Sequence, residues 1–343
     1  MKKRELLLVK LCALGDVIRT TCLLAPLRAK HGPCRVTWVT APEAVDLLKG
    51  LGIEKVLPVG PKTSAYLKDR GFDVVLNLDE DKAACEAASL PKAARLIGGY
   101  LDAAGKPAYT PDSADYFDMG LLNRGADGTL SKANALKQAN RKTYQQLWAE
   151  VLGLDLAGYP RGYEPALALS VGQKAAAAKL LAAGGKPRVG VNLGSGPRWT
   201  AKQPSVEHAA EIVKRLTAKG FEVVLFGGDL ERQRNKEIAK LAGAGIDPGV
   251  HNLKTFAALI ARCKALVTTD SLALHFACAT GTPCVVLFGP TSPDEIELYK
   301  RGIKLVPKPA CSCYYQSQCS AALHCVDSIP ASAVVSAVEL LLG

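Results

Sequence analysis

Short, almost wholly apolar runs that end in glycine or aspartate and lead into helix-period stretches recur along the 343-residue chain. A run of four to seven apolar residues, too short for a buried helix, reads as a strand covered on both faces. Glu5 to Leu11 is the first of these, followed by the turn Cys12-Ala13-Leu14-Gly15-Asp16 and a helix expected over Val17 to Lys30. Strands are expected at Cys34 to Thr40, Val56 to Val59 and Val74 to Leu78, with helical pieces at Glu43 to Leu48 and Thr63 to Lys68 between them. Strand-helix alternation of this kind is the pattern of a doubly wound α/β domain.

From Leu101 to Asn140 the periodicity fails, around Asp112-Ser113-Ala114-Asp115 and Asn123-Arg124-Gly125, and a long functional loop is expected. A helix at Arg141 to Leu152 and an irregular linker at Gly153 to Leu169 follow, and a second alternating series runs from Val171 to the last helix at Ala331 to Leu342. The chain therefore reads as two Rossmann-like domains, residues 1–160 and 161–343, with a last helix able to pack back on the first. Ligands of open α/β sheets bind beyond the strand C-termini, so the functional residues are expected there, in a cleft that the two domains face.

Charge and cysteine content narrow the partners. The formal net charge of +11 favours an anionic ligand or surface, while the absence of any run of five basic residues argues against a nucleic-acid tail. No stretch approaches the roughly 20 apolar residues of a membrane span, and Leu6 to Val9 is too short for a secretory core, so a cytoplasmic protein is expected. Of eleven cysteines, seven are scattered as small buried hydrophobes and four form Cys311-x-Cys313-x5-Cys319-x5-Cys325. That spacing differs from paired Cys-x-x-Cys knuckles, so packed or free thiols are the first reading there and a structural zinc the second.

Three strand ends of the second half are glycine-rich: Gly194-Ser195-Gly196, Gly227-Gly228 and Gly289. Glycine lets backbone amides approach a phosphate, and a following helix N-terminus favours negative charge. There is no Walker A pattern, and Gly194-Ser195-Gly196-Pro197 lacks the third glycine of a dinucleotide fingerprint. The stretch from Thr268 to Thr291 is the most specific: strand, Asp270-Ser271, a short helix carrying His275, a Gly-Thr-Pro turn, a buried strand and Gly289-Pro290-Thr291. Asp270 or Ser271 can serve simply as a helix cap, as can Asp16. Asp16 at a helix start is also a carboxylate placed to accept a proton, and the helix dipole favours its ionised form. Asp79-Glu80-Asp81 has the look of a metal motif, but two acids opening a helix explain it as well.

The run Asp270-Ser271 to Thr291, with Leu14-Gly15-Asp16-Val17 and the strand-end glycines, resembles the signature of glycosyltransferase family 9, the ADP-heptose:lipopolysaccharide heptosyltransferases. The resemblance implies a GT-B fold, an acceptor-binding N-terminal domain and a donor-binding C-terminal one. It implies metal-independent, inverting transfer of heptose from ADP-heptose to an inner-core lipopolysaccharide acceptor, with no cofactor besides the nucleotide sugar. An anionic glycolipid partner and peripheral contact with the cytoplasmic face of the inner membrane go with it. Carried over by position, Asp16 is the catalytic base. Gly194, Ser195, Lys202, Glu231, Asp270, Ser271, His275 and Gly289 serve the donor, with Glu231 on its ribose and Lys202 on its diphosphate. Leu272 stands where the family usually has glycine and Gln203 where it has tryptophan, and Arg198 is the alternative to Lys202. The rival readings are a sugar-nucleotide epimerase and a non-catalytic glycan- or nucleotide-binding module.

Overall fold

The computed structural model describes residues 3–120, 128–182, 184–308, 310–319, 321 and 323–343. They form two compact units, residues 1–168 with 294–297, and residues 169–293 with 298–343.

The first unit is a six-stranded sheet: β1 (Arg4–Val9), β2 (Cys34–Thr40), β3 (Lys55–Pro58), β4 (Gly71–Asn77), β5 (Lys92–Leu101) and β6 (Pro107–Tyr109), in the order β3-β2-β1-β4-β5-β6. All pairings are parallel except that of β5 with β6. Leu6, Leu7, Leu8 and Val9 of β1 are fully buried. Successive residues of a strand face opposite ways. Accordingly Leu6 and Leu8 join Trp38, Tyr144 and Trp148 on one face, and Leu7 and Val9 join Leu67, Phe72 and Val75 on the other. Two covered faces are why this strand has no polar alternation.

The second unit is a five-stranded, all-parallel sheet: β7 (Arg188–Asn192), β8 (Glu222–Leu225), β9 (Ala265–Thr269), β10 (Cys284–Leu287) and β11 (Gly302–Leu305), in the order β11-β10-β9-β7-β8. The last helix, Ala331–Leu342, belongs to this unit and packs on the helix Val206–Ala218 and on β9, β10 and β11.

Three expectations change. The single helix over Val17 to Lys30 is instead a helix Leu14–Thr20, a 3₁₀ turn Thr21–Leu23 and a helix Leu24–His31. The hydroxyls of Thr20 and Thr21 donate to the carbonyls of Asp16 (2.7 Å) and Ile18 (2.6 Å), and Pro26 has no amide hydrogen to continue the ladder. The long loop at 101–140 contains β6 and the helices Ala114–Phe117 and Leu130–Ala139; Asn123, Arg124 and Gly125 lie outside the described residues. The pattern also gave no sign of β5, whose first four residues are exposed, or of the short β11.

Candidate active site

Each sheet has one point where strand order reverses, and candidate site residues stand there in both. In the first unit the reversal lies between β1 and β4, and in the second between β7 and β9. Connections leave such neighbours in opposite directions and open a crevice at their C-terminal ends.

Asp16 follows β1 and stands at the third position of the helix Leu14–Thr20, whose N-cap is Ala13; it is not the cap residue. Its Oδ1 accepts a hydrogen bond from Arg19 Nη2 at 2.7 Å, and its side chain is 34% exposed against 12% for Arg19. The guanidinium lies 4.1 Å from the ring centroid of Tyr144, and the Tyr144 hydroxyl meets Thr20 Oγ1 at 2.6 Å. A cation held by an aromatic face and by the helix's own carboxylate keeps Asp16 in one orientation. Arg19 was not singled out from sequence, although its position three residues after Asp16 places it on the same helical face.

Asp79 follows β4. It is buried, pairs with Lys10 Nζ, and accepts from the Leu11 amide at 2.5 Å. Burial acts most strongly against the charge on Lys10, but Asp79, Tyr116, Asp16 and Tyr144 together outweigh it and raise the Lys10 pKa well above its ordinary value. Asp81 caps the helix Lys82–Ser89 by accepting from the Ala84 amide at 3.0 Å. The acidic triplet thus ties β1 to β4 and starts a helix.

In the second unit Asp270 follows β9. Its Oδ2 accepts from Lys202 Nζ and from Thr291 Oγ1, both at 2.8 Å, and Lys202 also donates to the Asp270 carbonyl at 3.0 Å. Burial pushes the Asp270 carboxyl up, but the charges of Lys202 and His275 and these hydrogen bonds outweigh it and hold it well below the usual carboxylate range. Lys202 lies 5.0 Å from the ring centroid of Trp199, so this turn draws its tryptophan from three residues earlier while Gln203 donates to the Gly196 carbonyl at 3.1 Å. Arg198 is exposed on the same turn. Lys202, not Arg198, is the residue on Asp270.

Neither Asp270 nor Ser271 caps the helix Leu272–Thr280. Ser271 stands at the N-cap position without a side-chain bond to the helix amides. Its hydroxyl instead lies 3.2 Å from Thr268 Oγ1 and donates to Asn192 Oδ1 at 3.4 Å. The N-cap residue thus offers the first helix amides no side-chain acceptor, which suits an anionic ligand oxygen. His275, one turn in, is buried.

Glu231 binds the two glycine turns together. Oε1 accepts from the Gly196 amide at 3.2 Å and Oε2 from the Gly228 amide at 2.9 Å. A Cβ at Gly194 would stand 2.5 Å from Glu231 Cγ, and one at Gly227 2.7 Å from its Cβ, so both positions must lack a side chain. Ser195 Oγ donates to the Trp199 carbonyl at 2.6 Å. Gly289 is required for packing: its Cβ would meet Val326 Cγ2 at 2.6 Å. Lys202, Asp270, Ser271, His275 and Thr291 therefore form one group and Gly194, Gly196, Gly228 and Glu231 a second, joined by the turn Pro197–Lys202. Sequence reasoning did not single out Thr291, though it closes the motif that contains it.

Residues 119–326 match the sequence profile of glycosyltransferase family 9 (heptosyltransferase). The match contains Lys202, Glu231, Asp270 and His275; Asp16 lies outside it. Lipopolysaccharide heptosyltransferase 2 of Salmonella typhimurium is 36% identical over 111 residues, 31% of this chain and 30% of that protein. The match thus spans about 30% of that curated relative's length. A crystal structure of a family 9 glycosyl transferase from Veillonella parvula superposes with a TM-score of 0.76 at 20% identity, over 100% of this chain and 98% of the other. ADP-heptose lipopolysaccharide heptosyltransferase II of Escherichia coli gives 0.69 at 21% identity, over 98% of both chains. At these identities the likeness is one of fold, and the two α/β units with parallel cores are the GT-B architecture.

Proposed function

The chain belongs to glycosyltransferase family 9, and we propose that it is an inverting transferase that moves heptose from ADP-heptose onto an anionic, inner-core type lipopolysaccharide acceptor. The observation that carries this reading is the Lys202–Asp270–Thr291 group beside an uncapped helix start, at the switch point of the second sheet. A lysine fixed in this way, a serine hydroxyl and helix amides that the N-cap side chain does not bond are the chemistry that recognises a diphosphate.

The first unit supplies the base and the second holds the donor. Asp16 takes the proton from an acceptor hydroxyl as that oxygen bonds to the anomeric carbon. The bond from the anomeric carbon to the diphosphate oxygen breaks on the opposite face, and its electron pair leaves with ADP. Lys202, the Ser271 hydroxyl and the amides that open the helix Leu272–Thr280 stabilise the charge gathering on that oxygen. Arg19 is a positioning residue that keeps Asp16 aimed. Glu231, which fixes both glycine turns, offers its carboxylate edge to the donor ribose. His275 supports the diphosphate end through Asp270. Abundant positive charge suits a phosphorylated glycolipid at the cytoplasmic face of the inner membrane, and among the described residues no helix is long and apolar enough to cross it.

Titration calorimetry with ADP tests the donor half without any acceptor. Lys202→Met is expected to weaken ADP binding by about ten- to a hundredfold, as loss of a charged hydrogen bond worth roughly 1.5–3 kcal/mol requires. Unchanged affinity in a folded variant would remove Lys202 from the diphosphate.

A further inference from the structure

The C-terminal cysteines differ from the other seven. Cys311, Cys313 and Cys325 bring their sulfur atoms within 4.8 Å of one another, with Cys311 and Cys313 at 3.0 Å. The Cys319 thiol hydrogen-bonds to Cys313. Cys313 is buried, the other three are half-buried, and none is in a disulfide. Thiolates collected here would repel one another, and a cation is what relieves that repulsion.

The geometry suits one cation. Four sulfurs at about 2.3 Å from a central zinc stand about 3.8 Å apart along the edges of a tetrahedron. That separation falls within the 4.8 Å that spans Cys311, Cys313 and Cys325, and Cys319 adjoins them through its hydrogen bond with Cys313. The spacing rule that disfavoured a metal applies to knuckles on tight hairpins. Here the described residues between Cys311 and Cys325 are turns and bends without strand or helix, and such a chain can fold four sulfurs around a point from a wider spacing.

We propose that Cys311, Cys313, Cys319 and Cys325 form a tetrahedral four-thiolate site for a soft transition-metal cation, zinc in the first place. On binding, each sulfur–hydrogen bond gives way to a sulfur–metal bond, the protons go to solvent, and nothing is oxidised or reduced. Every coordination position is filled by protein sulfur, so the ion is structural rather than catalytic.

The position of the site gives it a use. The Tyr315 amide donates to the Pro290 carbonyl at 2.6 Å, and the Ala201 amide to the Ser317 carbonyl at 3.0 Å. Cys325 Sγ and Val326 pack where a side chain at Gly289 would stand. The cysteine segment is thus laced to the two loops that present Lys202 and Thr291 to Asp270, and the metal braces the donor group. That second clause rests on the donor-site reading above; the metal site does not.

The test starts from the full chain, expressed in medium containing zinc and purified under reducing conditions. Elemental analysis should give close to one zinc per chain. Growth with cobalt instead should give the visible absorption of tetrahedral cobalt with thiolate charge-transfer bands. Cys313→Ser and Cys325→Ser should each lose the metal and melt lower, while the control Cys34→Ser, in the other unit, keeps both. Native protein free of metal and without cobalt bands, or a thiol count showing a disulfide within the cluster, would overturn the site. In chelator-stripped protein that remains folded, ADP should bind several-fold more weakly. Unchanged ADP affinity there would overturn the bracing role and leave the metal site standing, whereas failure of ADP to bind the zinc-loaded protein would count against the donor reading alone.

Discussion

Replacing Asp16 by Asn separates chemistry from structure at the residue assigned as base. Asn keeps an oxygen for Arg19 Nη2, at 2.7 Å in the native pair, and loses only the negative charge and the ability to take a proton. The pair is partly solvated, with the Asp16 side chain 34% exposed. Its loss should therefore cost about 1 kcal/mol or less. In a unit of this size that corresponds to roughly 2–4 °C in Tm. General base catalysis contributes about 10²–10⁴-fold. At 1.36 kcal/mol per decade this is roughly 2.7–5.4 kcal/mol of barrier, several times the structural cost. Acceptor-dependent ADP release, read by a coupled assay at saturating donor, should fall by that factor. ADP affinity by calorimetry should stay at the wild-type value, because the donor group lies in the other sheet. A helix-capping role is already excluded by position, since Ala13 occupies the cap. A folded Asn variant that releases ADP at near wild-type rate would refute the assignment and make Asp79 the next acid to test.

Other outcomes follow from the same contacts. Asp79→Asn leaves Lys10 buried without its counter-charge and should cost about 3–5 kcal/mol of stability, seen as a large drop in the denaturation midpoint of the first unit; a change below 1 kcal/mol would contradict a structural role for the pair. The depressed Asp270 pKa means that its stabilising contribution is complete above the unfolded value of about 3.9 and is lost as pH falls below it, so Asp270→Asn should lower stability at pH 7 and flatten the acid limb of the stability curve below about pH 4. A parallel offset at all pH values would contradict this. Turnover should need no added Mg²⁺ or Mn²⁺, because Asp79 and Asp81 are engaged with Lys10 and a helix cap; activity that appears only on adding either ion would return them to the chemistry.

What the sequence made legible follows from how strongly each residue's surroundings dictate it. Buried parallel strands must be apolar on both faces, so β1, β2, β7, β9 and β10 stood out as runs, and the site residues lay just past their ends. β5 was hidden because its exposed first half reads as polar loop, and β11 because four residues carry little period. Asp270 and Ser271 looked like helix caps because cap residues and ligand residues are the same types. Only the coordinates show that Asp270 turns to Lys202 and Thr291 and Ser271 to Asn192. Thr291 acts through Asp270, 21 residues earlier, which no local pattern records, whereas the i,i+3 spacing of Asp16 and Arg19 was a local signal left unread. The cysteines were judged by spacing, whereas their proximity comes from an irregular segment folded against the second unit.

The central claim is that one unit activates an acceptor hydroxyl while the other holds a heptose nucleotide. It is tested most directly by incubating the purified chain with ADP-heptose, with and without a deacylated inner-core acceptor, and following ADP and the anomeric configuration of the product by NMR. The account predicts ADP release only when acceptor is present, one heptose joined per ADP released, and an anomeric configuration opposite to that of the donor. Donor converted without acceptor, as an epimerase would do, donor bound with no ADP released, or a product with retained configuration would contradict it.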